Sequence, residues 1–227
     1  MKKTAKAAAL IAAMVLAAGL TACQGKGSSK GLVIDGAKVT GYTPDVPAKL
    51  SVPKGVTEID GSAFQNCLTL VSVTIPNTVA NIGGFAFSEC KNLKSVSIPG
   101  SVEDTGFGSF NECKSLESVT IGDGVKKIGF GSFMECDSLK SVTIPASVTE
   151  IDLGAFCGCT SLASVTIPAS VTKIGAQAFG SCDKLEVKYA GTKEQWEEIE
   201  VSARIEDSSY GKNKFVVHCK DGDVTVE

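Results

Sequence analysis

The sequence predicts a mainly β solenoid of six stacked 23-residue coils, and three observations carry that expectation. The stretch from Val142 to Ser164, VTIPASVTEIDLGAFCGCTSLAS, recurs at Val73, Val96, Val119 and Val165 in uninterrupted steps of 23 residues, with a degenerate first copy ending at Ser72. Apolar residues hold fixed columns through all six copies: Phe64, Phe87, Phe110, Phe133, Phe156 and Phe179, with a Cys three residues after each and a Leu six residues after each. A strict period of this length marks units that cannot bury their apolar faces alone and complete a core by stacking.

Each part of the repeat has a local reason. In Val-Thr-Ile the outer residues point inward and the Thr outward, the period of two of a short strand, and the following Pro ends it. Stacked copies then give a parallel sheet. A second extended piece follows, with Val148 and Ile151 inward in the fifth copy. Ala155, Phe156 and Cys159 are spaced for one side of a single helical turn, and the glycines before them permit a sharp corner. Thr105 replaces the Ile of its column and Gly122 replaces the Pro of its column, so looser packing is expected at both.

Residues 1–22 run from a basic start, MKKTAK, through an apolar span to Leu20-Thr21-Ala22-Cys23, the pattern of a secretory signal. The last four residues resemble the lipobox of bacterial lipoproteins. That resemblance implies that Cys23 is acylated and becomes the new N-terminus, held at the membrane by several acyl chains. Residues 23–30 then form the lipidated Cys and a Gly/Ser tether with nothing apolar to bury. Residues 31–49 read as a capping hairpin turning at Asp35-Gly36, which should close the edge of the first repeat. The solenoid is expected over 50–187. Residues 188–227 should close the other end, with Thr192 and Gln195 as the capping box of a short helix, Trp196 and Ile199 on its inner face, and a hairpin at Asp221-Gly222.

The repeat pattern Leu-x-x-Val-x-Ile-Pro-x-x-Val-x-x-Ile-Gly-x-x-Ala-Phe-x-x-Cys resembles the BspA-type (treponemal) leucine-rich repeat of bacterial surface proteins. YAGTKEQW and VHCKDGD look like the terminal module attached to such repeats. The resemblance implies a right-handed leucine-rich repeat solenoid with short turns opposite the sheet. It also implies an exported protein that binds host or neighbouring-cell macromolecules.

Little in the chain suggests chemistry. Three of the 22 basic residues lie in the leader, leaving 19 against 25 acidic side chains, a net of −6, which argues against a nucleic-acid partner. The single histidine, His218, adjoins Cys219, but neighbours on a strand face opposite ways and cannot pair as nucleophile and base; an exposed His beside a buried Cys is expected. A 23-residue column spreads six thiols along an axis instead of converging them on a metal, so they read as inert core residues. Cys157, outside that column, is expected to be the most exposed thiol. Gly25-Lys26-Gly27 lacks phosphate-loop spacing, and Asp221 to Asp223 is too short for a calcium loop. No cofactor, metal or catalytic residue is expected.

Two surfaces could take a partner. Hydroxyl columns line the outer face of the sheet, with Ser95, Ser97, Ser118, Thr120, Ser141 and Thr143 at their centre; such a row can meet a polypeptide or glycan, though it is equally what a solvent-facing strand carries. Phe107, Phe130 and Leu153 share a corner column. Exposed, they form an apolar ridge; folded under the turn, the expectation preferred here, they are core. The resulting reading is a non-enzymatic, lipid-anchored surface protein that binds a macromolecule, a host matrix protein, a glycan or a neighbouring cell. The alternative is a structural or self-associating envelope module without a soluble ligand.

Overall fold

The computed structural model describes residues 30–201 and 215–226, in which the chain winds through about seven turns of a β solenoid. The leader, Cys23 and all of the tether except Lys30 lie outside these residues. Each turn contributes to three walls around one core.

The first wall consists of the Val-Thr-Ile strands. At Val96, Ser97 and Ile98 the pattern is buried, exposed, buried, as alternation requires. Parallel pairing sets Ser72 beside Ser95 and Ser95 beside Ser118, a register of one full repeat. The ladder is interrupted once, between Ser118–Ile121 and Ser141–Thr143, and resumes through Ser164–Ile167 and Glu186–Tyr189. The frame slips by one residue after Leu185, so that Val187 rather than Lys188 stands beside Val165. Phe215–Cys219 and Gly222–Val226 then form an antiparallel hairpin on that edge. The short helix Lys193–Glu197 carries the expected capping box, with Thr192 N–H donating to Gln195 Oε1 at 3.0 Å. Ile199 is buried behind the helix and Trp196 packs edge-on against Tyr189 at 5.2 Å.

The second wall is a ladder of two-residue strands, among them Glu58–Ile59, Asn81–Ile82, Lys127–Ile128 and Glu150–Ile151. Here the N-terminal hairpin closes the first repeat. Lys38–Tyr42 lies parallel to Glu58–Ile59, so the hairpin caps this wall instead of the first. The outer edge of Lys49–Ser51 therefore has no paired strand among the described residues. Lys49, with Pro47 and Pro53 on either side of the strand, makes that edge a poor template for pairing.

The third wall corrects the expected helical turn. No helix forms in the repeats. Alternate N–H groups reach the next coil, as Ser62 to Gly84, Phe64 to Ala86 and Asn66 to Ser88, at 3.0, 2.7 and 2.8 Å. The intervening ones turn back three residues, as Ala63 to Asp60 and Gln65 to Ser62. This alternation requires left-handed residues four apart. One such column holds Ser62, Phe85, Gly108, Gly131, Gly154 and Gln177; the other includes Asn66, Glu89, Glu112 and Glu135.

Inside, the phenylalanines stack face to face along the axis, 4.9–5.6 Å apart and within 8° of parallel. Both caps extend the spine: Tyr42 stacks on Phe64 at 6.0 Å, and Phe215 meets Phe179 edge-on at 6.4 Å. Each column thiol from Cys90 to Cys182 donates to the carbonyl of the Phe 26 residues earlier, as Cys90 Sγ to Phe64 at 3.1 Å and Cys136 Sγ to Phe110 at 3.3 Å. The cysteine is thus a small hydrophobe that also ties one coil to the one before it.

Neither position expected to pack loosely does so. Thr105 is fully buried, and its hydroxyl accepts from Gly129 N–H at 2.8 Å. The second wall is nevertheless interrupted between Asn81–Ile82 and Asp104, because the Thr ties its coil forward and a bridge to Lys127 replaces a strand. Gly122 marks a close approach: a Cβ there would stand 2.4 Å from Gly100 N, and one on Gly100 would stand 2.0 Å from the Asp123 carbonyl oxygen. Glycine on both sides lets the two backbones meet.

Ser132 occupies a buried column that holds Ala86 below and Ala155 above. Its Oγ has no hydrogen-bond partner, whereas that of Ser109 donates to the Thr105 carbonyl at 2.6 Å. Ser132→Ala should therefore stabilise the solenoid by about 1 kcal/mol, and Ser109→Ala should not. Urea denaturation of the two variants beside wild type measures the difference.

Candidate functional site

The hydroxyl face is built by register alone. Pairing stacks Ser72, Ser95 and Ser118 in one column and Thr74, Ser97 and Thr120 in the next; past the interruption, Ser141 meets Ser164 and Thr143 meets Thr166. Ser97, Ser118, Thr120, Ser141 and Thr143 are exposed and Ser95 is half-buried. The columns end in charge. Lys49 precedes Ser72 and Glu186 follows Ser164, while Lys188 and His218 follow Thr166.

The corner column differs from the preferred expectation. Phe107 is 49% exposed, and Phe130 and Leu153 are half-buried. The interior at this level is already filled by the Phe110 and Phe133 rings, which leaves corner side chains only the outside. Phe107 and Phe130 stack at 4.8 Å and 5°. Phe85 extends the ridge, 36% exposed and edge-on to Phe107 at 4.9 Å. Sequence reasoning missed Phe85 because it lies one residue beyond the column. A signal was present: it stands where the next three copies hold Gly108, Gly131 and Gly154, and it keeps their left-handed backbone with φ of 59°. A bulky aromatic there is strained, and strain is retained where something other than folding requires the side chain.

The thiols fall into two groups. Cys157 is 1% exposed, contrary to expectation, because its sulfur lies under Gly180 of the next coil. Burial, with the Glu135 charge second, pushes it up to about 11. Burial likewise pushes Cys90 and Cys182 up to about 12, and Cys113, Cys136 and Cys159 well above the ordinary thiol value. Cys219 is half-buried rather than buried, its thiol raised by desolvation and then by Asp221. His218 Nδ1 lies 2.9 Å from Asp223 Oδ1 across the hairpin. Among the described residues no three His, Cys, Asp or Glu side chains are grouped to hold a metal, and no helix is long and apolar enough to cross a membrane.

The profile of the BspA type leucine rich repeat region matches residues 57–186 in six copies. Among solved structures, a leucine rich cell surface protein from Faecalibacterium prausnitzii is 30% identical, covering 70% of this chain and 52% of its own, with a TM-score of 0.59. A leucine-rich repeat protein from Bacteroides ovatus is 35% identical over 74% of this chain and 42% of its own, with a TM-score of 0.61. The T. pallidum leucine rich repeat protein is 29% identical over 73% of this chain and 86% of its own, with a TM-score of 0.63. The chain thus spans about half the length of the first and less than half of the second. No curated protein sequence matches it.

Two measurements follow from the thiols. A maleimide should label Cys219 at least about tenfold faster than Cys157 or any column cysteine at neutral pH, because Cys219 is half-buried and the others are buried. Alkaline titration should destabilise the fold. Cys90 and Cys182 hold their protons from the ordinary 9.0 up to about 12 when folded, and burial raises the other column thiols too, so the unfolded chain loses protons first. Their contribution is whole below about pH 9 and is lost as pH rises towards 12, at up to about 1.4 kcal/mol per pH unit for each thiol. Urea denaturation at about pH 8 and pH 10.5 should show the fall, and Cys136→Ala should lessen it.

Proposed function

The chain belongs to the BspA-type leucine-rich repeat family, and we propose that it acts at the bacterial cell surface as a non-enzymatic lipoprotein, tethered through Cys23, that holds a macromolecular partner, protein or glycan, on the outside of its solenoid. The leader and the Leu20-Thr21-Ala22-Cys23 pattern support the anchor. The F. prausnitzii relative, a cell surface protein, supports the location. The one histidine is engaged with an aspartate and the thiols are held protonated, which favours contact over chemistry.

The observation that carries the reading is the aromatic ridge of exposed Phe85 and Phe107 and half-buried Phe130. The spine of Phe64 to Phe179 already fills the core, so three further rings at the corner add little to folding, and Phe85 works against it. Side chains packed against one another on a rigid coil are also ordered before a partner arrives, which lowers the entropy lost on binding. The hydroxyl face beside them offers a wider polar surface of the same rigidity.

The test is capture of matrix proteins and glycans from an array by the intact protein. Phe85→Gly should leave stability unchanged or raise it by about 1 kcal/mol, since glycine accepts the left-handed backbone, while capture falls by at least about tenfold, as for loss of an interface anchor. Phe107→Ser should do the same to capture. Binding that survives both variants but is lost on Ser97→Lys with Thr120→Lys would move the site to the hydroxyl face. Binding that survives all four substitutions ends the proposal.

A further inference from the structure

The ridge has an acidic neighbour. The interruption in the second wall opens a groove of about 410 Å³ between the second and third copies, lined by Ala80, Asn81, Ser101, Glu103 and Asp104. The groove and the ridge are neighbours along the chain: Asp104 precedes Phe107 by three residues, Asn81 precedes Phe85 by four, and Phe85 N–H donates to the Phe107 carbonyl at 2.8 Å, joining the two copies at the corner.

Both carboxylates are available. Asp104 Oδ1 accepts from Gly106 N–H at 2.8 Å. Neither Glu103 nor Asp104 has an ion pair among the described residues, although Lys126 and Lys127 occupy the same two columns one coil on. Lys127 pairs directly with Asp152 at 2.9 Å and Glu150 at 3.5 Å, and reaches Asp104 only through its longer-range charge. Two carboxylates without a direct ion pair among the described residues therefore lie near an exposed aromatic stack.

We propose that the Phe85–Phe107–Phe130 ridge docks a polypeptide segment in which a basic side chain, entering the groove towards Glu103 and Asp104, adjoins an apolar one lying on the rings. The proposal rests on the reading of the ridge as a binding surface and adds the class of partner. Charge complementarity favours a protein over a neutral glycan here, because a carboxylate pair gains far more from a guanidinium or ammonium than from hydroxyl groups. The apolar contact supplies affinity and the charge supplies selection.

The probe is an array of short peptides in which arginine adjoins phenylalanine or leucine, set beside twins carrying citrulline for arginine and beside immobilised neutral glycans. Arginine peptides should bind the intact protein at least about tenfold more tightly than their twins, with a steep dependence on salt. Glu103→Gln together with Asp104→Asn keeps the shape and the acceptor for Gly106 N–H. It should abolish that preference and leave the twins unchanged, while Phe107→Ser should weaken both sets. Equal binding of arginine and citrulline peptides, or a preference that survives the double variant, overturns the proposal. If Phe107→Ser still weakens both sets in that case, the ridge binds without selecting charge and only this inference falls. If Phe107→Ser changes nothing, or neither peptide set binds, the reading of the ridge falls with it. Preferential glycan capture, or self-association lost on Phe107→Ser, assigns the ridge to another occupant and likewise overturns it.

Discussion

Parallel stacking in register is the constraint on which this molecule depends. When each coil lies directly on the last, every interior residue meets its own counterpart, and a residue succeeds only if it packs against itself. Phenylalanine does so with rings about 5 Å apart, near the spacing of neighbouring strands. Cysteine does so for a different reason. It is small enough for a crowded corner, and its S–H reaches the Phe carbonyl of the coil before, a bond that Val or Ala in the same space could not make. The caps obey the same rule: Tyr42 and Phe215 offer an aromatic face or edge to the end of the spine.

A fold held by repetition is also sensitive to single departures from it, and the two substituted copies show how the chain absorbs them. Thr105 brings a hydroxyl into an apolar column and satisfies it on Gly129, since an unpaired buried hydroxyl would be costly. The consequence is a broken ladder on one side and a groove at the surface. Gly122 loses the Pro of its column and with it the usual separation of the loops, and the neighbouring backbone closes in at Gly100. In both places the core stays filled while the outer walls change. Variation thus appears on the exterior, where a partner would meet it.

Much of the interior was legible in the sequence because it depends on period alone. The Phe, Cys, Leu, Val and Ile columns are buried as their spacing requires, save Val119 beside the break in the first wall, which is half-buried, and strand alternation places Ser97, Thr120 and Thr143 outside. The corner was not legible, for a physical reason. Period two assigns inside and outside only while the backbone is extended, and the third wall carries left-handed residues four apart instead. Phe107 therefore faces out where core was expected, and Cys157 faces in where exposure was expected. The position of the N-terminal hairpin had the same kind of ambiguity: its strands fit either wall by pattern, and only pairing to Glu58–Ile59 distinguishes them.

These two kinds of position divide the protein's work. A column shared by all six copies reports what stacking needs, and changing it in one coil disturbs the coils on either side. A residue that departs from its column reports something local. Phe85 and Phe107 stand where Ser62 and Gly61 serve in the first copy, and Glu103 and Asp104 stand where the second copy holds Ala80 and Asn81. None of the four is needed to propagate the solenoid, and Phe85 carries a backbone conformation that opposes it. All four fall on one edge of the second and third copies, around the only place where the second wall is interrupted among the described residues. In a repeat protein, function is therefore best sought where neighbouring copies differ from the rest in the same region of surface, because shared features are already accounted for by the fold.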